Sequence, residues 1–280
     1  MESLRELWEY RPLIGELVRR DLKLRYKNSI GGIAWSLLNP LMQILVITLV
    51  MKFIQARPIS SYSAYLFGVI FLWTFFQITL VDGCYSILQN AQLVRKVYFP
   101  RAILPLASLL ANGFHFAIAF AFTILYFFVP YGFGGVGAYP ENLRWQIVMV
   151  VPAVFCTAVL ALGLTYILAY LNVLYEDVRF IVTALLQLAF YAMPVFFTIE
   201  QVAAKGFYVP YMLNPIATLL VTYQRALLPP PPVESAPGVL LPPIDIPWPF
   251  FALAAVTSFV VLIIGFLLFD KYQWEIAERL

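Results

Sequence analysis

The chain has 280 residues, of which 62% are hydrophobic and 12% charged, and a formal net charge of +3. Soluble globular domains carry about 25% charged residues, so this composition excludes that class and describes a polytopic membrane protein whose residues are spent on spans. A single histidine and two cysteines exclude a multi-His or Cys-rich metal centre, and nucleic acid is not an expected partner.

The chain opens with MESLRELWEY, which lacks the basic start, apolar run and cleavage site of a signal peptide. Ser3 with Glu6 fits a capping box opening a short helix, and residues 1–30 are expected on the cytosolic side. Pro12 suits the first turn of a second helix running to about Arg25. At about 100° per residue, Leu13, Ile14, Leu17, Val18, Leu22 and Leu24 cover one half of that helix, and Glu16, Arg19, Arg20 and Lys23 the other. This is the pattern of an amphipathic helix lying in the headgroup plane. Asp21 and Arg25 break it, four residues apart in the order that lets them pair across one turn. Two readings stand: a snorkelling surface pair, or a face that meets protein as well as lipid. Gly31 and Gly32 then let the chain turn from lying on the membrane to crossing it.

Six apolar segments are long enough to cross about 30 Å of hydrocarbon: residues 33–53, 64–81, 103–129, 147–171, 181–197 and 250–269. An even number places both termini on one side. With the termini inside, only Lys52, Arg57, Arg144, Lys205 and Arg225 of the 18 Lys and Arg lie outside, as the positive-inside rule requires. Residues 208–228 offer a seventh span, but Asn214-Pro215, Gln224 and Arg225 within them favour a re-entrant or outer piece that does not cross. A proline-dense, mostly extended connector follows over 227–249, making 200–249 an outer region. The expected fold is therefore all-α, with six transmembrane helices, an N-terminal interface helix and re-entrant or outer helices between spans five and six.

Between spans two and three, residues 90–101 read NAQLVRKVYFPR. Arg95 and Lys96 beside Val97, Tyr98 and Phe99 present charge together with apolar anchors, which suits docking onto protein; positive-inside residues beside interfacial aromatics explain them equally well. In residues 172–180, Glu176 and Asp177 lie close to Arg179, as a second contact point or a solvated turn.

Several chemistries are missing. The glycine-rich run GFGGVG at 132–137 lacks the Lys of a phosphate-binding loop, so the chain cannot hydrolyse a nucleotide alone. His115 sits in mid-span between Phe114 and Phe116, and the other ionisable group in the spans, Asp82, is at an edge. That scarcity argues against coupling to a proton or sodium gradient. Cys84 and Cys156 read as small buried hydrophobes. The 24 Phe, 17 Tyr and 6 Trp exceed what interfacial belts need. Trp35, Tyr191, Phe196 and Phe197 are candidates for lining a path along which sugar rings slide on aromatic faces, against ordinary helix packing as the alternative.

Taken together, RRDLKLRYKNSIGGIAWSLLNPL, LVRKVYFPRAILPLA, LNVLYEDVRF and MLNPIATLLVTYQRALL resemble the permeases of type-2 ABC exporters, in their polysaccharide, O-antigen and teichoic-acid branch. Arg20, Asp21, Arg25, Tyr26, Gly32, Trp35 and Pro40 carry the first block. The chain departs in reading Tyr175-Glu176-Asp177 where the family commonly has Tyr-Arg-Asp, and in a longer proline-dense connector. The resemblance implies a homodimer in a bacterial inner or plasma membrane, working with two copies of a separate ABC ATPase that binds ATP and magnesium; this chain itself binds no cofactor. It implies that the surface helix with Asp21, and the coupling loop over 82–101 with Asn90, Gln92, Arg95, Lys96, Tyr98, Phe99 and Arg101, contact the ATPase. It implies as substrate a glycan on a polyprenyl pyrophosphate. Arg25 and Lys27, beside the Gly31-Gly32 turn, are expected to draw in that pyrophosphate by charge-assisted bonds, the four residues forming a cytosolic gate. Other readings are a permease for a small lipid or drug, a membrane-embedded glycan-modifying enzyme using Asp82 and His115, and a non-transporting scaffold.

Overall fold

The computed structural model describes residues 8–26, 33–54, 62–128, 145–236 and 239–279. Apart from a small antiparallel ribbon, β1 (Glu234–Ala236) with β2 (Val239–Leu240), its regular structure is helical. The helices are α1 (Arg11–Tyr26), α2 (Ile33–Ile54), α3 (Tyr62–Gln89), α4 (Ala91–Lys96), α5 (Ile103–Phe128), α6 (Val150–Leu174), α7 (Val178–Ala192), α8 (Ile199–Ala204), α9 (Tyr208–Met212), α10 (Pro215–Leu227) and α11 (Trp248–Arg279), with a 3-10 turn at Trp145–Met149 leading into α6. The expected Ser3–Glu6 cap lies outside the described residues.

Four stretches are long and apolar enough to cross a membrane: Tyr62–Gln89, Ile103–Tyr126, Trp145–Leu174 and Trp248–Ile276. Two shorter apolar helices, Leu37–Phe53 and Val178–Ala192, correspond to the first and fifth expected spans. The fifth differs most from expectation. It ends at Ala192, not at 197, because Pro194 disfavours helical angles at the residue before it, and Met193 is extended with φ −82° and ψ 160°. Its 15 residues rise about 22 Å, short of the hydrocarbon thickness.

α3 is the hub. Its apolar sequence has no polar face to turn outward, and it packs against α2, α5, α6, α7 and α10. It also runs past the expected end at 81, carrying Asp82 inside the helix, so the loop proper begins only at Asn90. Residues 208–228 do not form a continuous span. Leu213 and Asn214 interrupt the helix, the Asn214 side chain caps α10 by accepting from the Ile216 N–H at 3.2 Å, and Pro215 takes the first turn. Every residue from Ile216 to Leu227 is buried. The helix that follows the break is therefore wrapped in protein, while Leu213 and Asn214 at the break itself are exposed.

α11 is held differently. Much of its surface is bare apolar side chain, including Val256, Ile263 and Leu267, as a lipid-facing helix requires. Its grip comes from α6, where Gly163 and Gly265 bring the two backbones together; a Cβ on Gly163 would lie 2.6 Å from the Leu262 backbone. α1 packs against α5, with Leu17 only 4% exposed in a cluster with Ile103, Leu104 and Ala107. Of the two readings of its apolar face, contact with protein is the one observed.

Candidate functional site: a polar mouth and an exposed basic loop

Arg25 does not pair with Asp21. Asp21 accepts from its neighbour Arg20 at 2.8 Å, whereas Arg25 reaches across to α3 and α5. Its Nη2 donates to Asp82 Oδ2 at 2.6 Å and its Nη1 to Asn112 Oδ1 at 3.0 Å, while Asn112 Nδ2 donates to the same Asp82 oxygen at 3.2 Å. These three residues line a cavity of about 200 Å³ together with Asp21, Ser108 and His115. Arg25, Asn112 and His115 also border a slot of about 50 Å³ whose walls are otherwise largely apolar, among them Leu37, Pro40, Phe71 and Phe116. A polar mouth thus leads toward an apolar interior. Asp82 and Asn112 were not visible as partners of Arg25 in the sequence; the only signal was an acidic residue at the cytosolic edge of a span. Lys27, Gly31 and Gly32 lie outside the described residues, as does the side chain of Trp35.

The docking-loop candidates divide into two sets. Asn90, Phe99 and Arg101 hold the loop in place: Asn90 is buried and donates to the Ser86 carbonyl at 2.7 Å, Phe99 enters the cluster around Ile103, and Arg101 donates to the Gln273 carbonyl of α11. The Arg101 guanidinium also lies 5.9 Å from the Trp274 ring centre, and Tyr98 stacks on that ring at 6.5 Å. Burial lowers the pKa of Arg101 from its ordinary value and Tyr98 opposes the shift, and an arginine stays charged throughout the physiological range. Gln92, Arg95, Lys96 and Tyr98 face outward. In the second loop, Glu176 and Asp177 are exposed and do not pair with Arg179. The Arg179 guanidinium sits 4.3 Å from the Tyr85 ring centre and the Arg179 backbone N–H donates to Asn172 Oδ1 at 3.1 Å, tying α7 to α3 and α6.

Of the aromatic candidates, Tyr191 and Phe196 come together in a stack at 5.5 Å, with Phe190 edge-on to both. Tyr191 is 66% exposed. Phe197 belongs to a separate contact, edge-on to Tyr211 at 5.7 Å. Tyr62 and Tyr65 donate to the carbonyls of Val195 and Phe197 at 2.9 and 3.1 Å, fixing the turn that carries Phe196 and Phe197.

The expensive cation of the outer region has an acid. Arg225 Nη2 donates to Glu200 Oε1 at 2.7 Å, both residues being almost fully buried, and the Ile244 N–H donates to that same oxygen at 3.3 Å. One carboxylate joins α8, α10 and the proline-dense connector. Among the described residues no group of His, Cys, Asp and Glu could hold a metal ion.

This arrangement is that of a multi-pass helical membrane protein with a shaped polar mouth and an exposed basic and aromatic loop. The chain belongs to the ABC-2 type transporter family, whose profile matches residues 12–227. It is similar to the O-antigen export system permease protein RfbA of Myxococcus xanthus, at 31% identity over 99% of this chain and 98% of that protein. A protein of the same description from Klebsiella pneumoniae is 25% identical over 96% of this chain and 95% of its own length.

Proposed function

We propose that the chain is the permease subunit of an ATP-driven exporter that moves a lipid-linked cell-surface glycan, an O-antigen or a polymer of the same kind, outward across the bacterial inner or plasma membrane. The observation that carries this reading is similarity over nearly the whole length to O-antigen export permeases, in a chain with no nucleotide-binding motif of its own. Two copies of the chain work with two copies of an ABC ATPase, which supplies ATP and magnesium. Both termini are cytosolic, α1 lies along the inner headgroups, and the short helices α2 and α7 of the two protomers face each other across the path. Tyr191, Phe196 and Phe197, with Trp35, offer flat apolar faces to passing sugar rings.

The site chemistry supports a specific opening step. Arg25 is engaged by Asp82 in a half-exposed pair, an interaction worth under about 1 kcal/mol. A pyrophosphate carries more charge than one carboxylate and accepts two charge-assisted bonds from a guanidinium, so it displaces Asp82 at little cost. Lys27 adds a second cation. Arg25→Ala with Lys27→Ala should leave chain level and ATPase association unchanged while lowering glycan export about tenfold or more, measured as surface glycan in cells; undiminished export rejects the anchoring role.

Docking is tested separately. Arg95 and Lys96 make no hydrogen bond or ion pair with the described residues, so Arg95→Glu with Lys96→Glu should not disturb the fold. Several-fold less ATPase should co-purify with the variant, because like charges meeting at an interface cost several kcal/mol. Full recovery of the ATPase counts against this loop.

A further inference from the structure

We infer that the end of the C-terminal helix is part of the ATPase-docking surface, with the ring of Trp274 as its anchor. The inference rests on the docking reading of the α4 loop and extends it to a segment more than 170 positions away in sequence. Three observations carry it. Trp274 and Tyr98 form a stacked aromatic pair, 60% and 74% exposed, on the side of the molecule that carries Arg95 and Lys96. An exposed Trp and Tyr beside unpaired cations are the residue types that supply most of the binding free energy in protein interfaces. The loop and the helix are also one body, since Arg101 donates to the Gln273 carbonyl and stacks on Trp274, so a partner seated on Lys96 meets Trp274 without any rearrangement.

Anionic lipid is the other chemistry that takes exposed tryptophan and basic residues. Asp270, Lys271 and Glu275 lie within a little more than one turn of Trp274, with Lys271 and Glu275 exposed, so this end of the helix carries charges of both signs. Carboxylates in that position are repelled by an anionic leaflet, whereas a protein surface with both acidic and basic groups accommodates them. The occupant is therefore the water-soluble ATPase subunit, presenting an apolar slot for the aromatic pair and an acidic rim for Arg95 and Lys96.

A photo-reactive phenylalanine analogue placed singly at positions 274, 96 and 267, with the ATPase co-expressed, tests this in native membranes. Leu267 serves as the lipid-facing reference on the same helix. Cross-links to the ATPase subunit at 274 and 96 but not at 267 are expected, and Trp274→Ala should reduce co-purified ATPase at least threefold at unchanged chain level. A cross-link at 96 with only lipid adducts at 274 overturns the inference and leaves the loop docking intact. Absence of ATPase cross-links at both positions removes the docking reading and this inference with it.

Discussion

Gly265→Leu should expel the C-terminal helix from the bundle and reduce the chain retained in the membrane at least tenfold. A Cβ at this position would collide with the carbonyl oxygen of Gly163, and one at Gly163 would meet the Leu262 backbone at 2.6 Å. Backbone cannot rotate aside as the tip of a flexible side chain can, so the helices must separate. Overpacking of this kind typically costs about 1–3 kcal/mol, and more where the obstacle is main chain. α11 is poorly placed to absorb the loss, since much of its remaining surface faces outward and close approach of small residues is what holds lipid-facing helices together. Gly113→Ala is the matched control: a Cβ there meets nothing, and removing a glycine from a helix interior is expected to be neutral or stabilising by about 0.5–1 kcal/mol. The measurement is the membrane level of each variant together with protease sensitivity of the C-terminal helix. Equal levels for Gly265→Leu and the parent would show that the glycine contact does not support the bundle.

The second large effect concerns Arg225. Arg225→Met leaves the Glu200 carboxylate buried without its cation, and breaking a buried pair by removing one partner costs about 3–5 kcal/mol. Glu200→Met does the same to the guanidinium, and it also deprives the Ile244 N–H of its acceptor. The double variant Glu200→Met with Arg225→Met should recover most of the loss, because two apolar side chains of similar length remove both desolvation penalties at once. Thermal aggregation of the detergent-solubilised protein distinguishes the cases: two destabilised single variants and a largely restored double. If both single variants aggregate at the parent temperature, the pair is not what holds the outer helices.

The pattern of these interactions explains which parts of the molecule could be read from the sequence. Apolar runs of eighteen or more residues announce themselves, so the helices around 64–81, 103–129, 147–171 and 250–269 were legible, and Asn214-Pro215 marked the break before α10. The boundaries were less so. α3 continues through Asp82 and Gly83 because neither a single charge nor a single glycine stops a helix and no proline intervenes before Asn90; α7 stops at Ala192 because Pro194, hidden in an otherwise apolar run, outweighs hydropathy. The partners of ions were illegible. Asp21 was the local candidate for Arg25, yet Asp82 and Asn112, on two other helices, hold it. Glu200 lies 25 positions before Arg225, with two helix interruptions between them, and no periodicity connects the two. The sorting of the loop into residues that hold it and residues that face out likewise depends on α11 passing beneath it, which only the tertiary structure reveals.

The 32-residue helix from Trp248 to Arg279 is unbroken, and its two ends are fastened to different parts of the molecule. Its C-terminal end carries the Gln273 and Trp274 contacts to Arg101; its N-terminal end follows directly on the connector that Glu200 grips through Ile244. A rod of this length bends little. Any tilt imposed at the C-terminal end therefore arrives at the N-terminal end with its sign reversed about the Gly163–Gly265 crossing, as in a see-saw whose fulcrum is two hydrogen atoms wide.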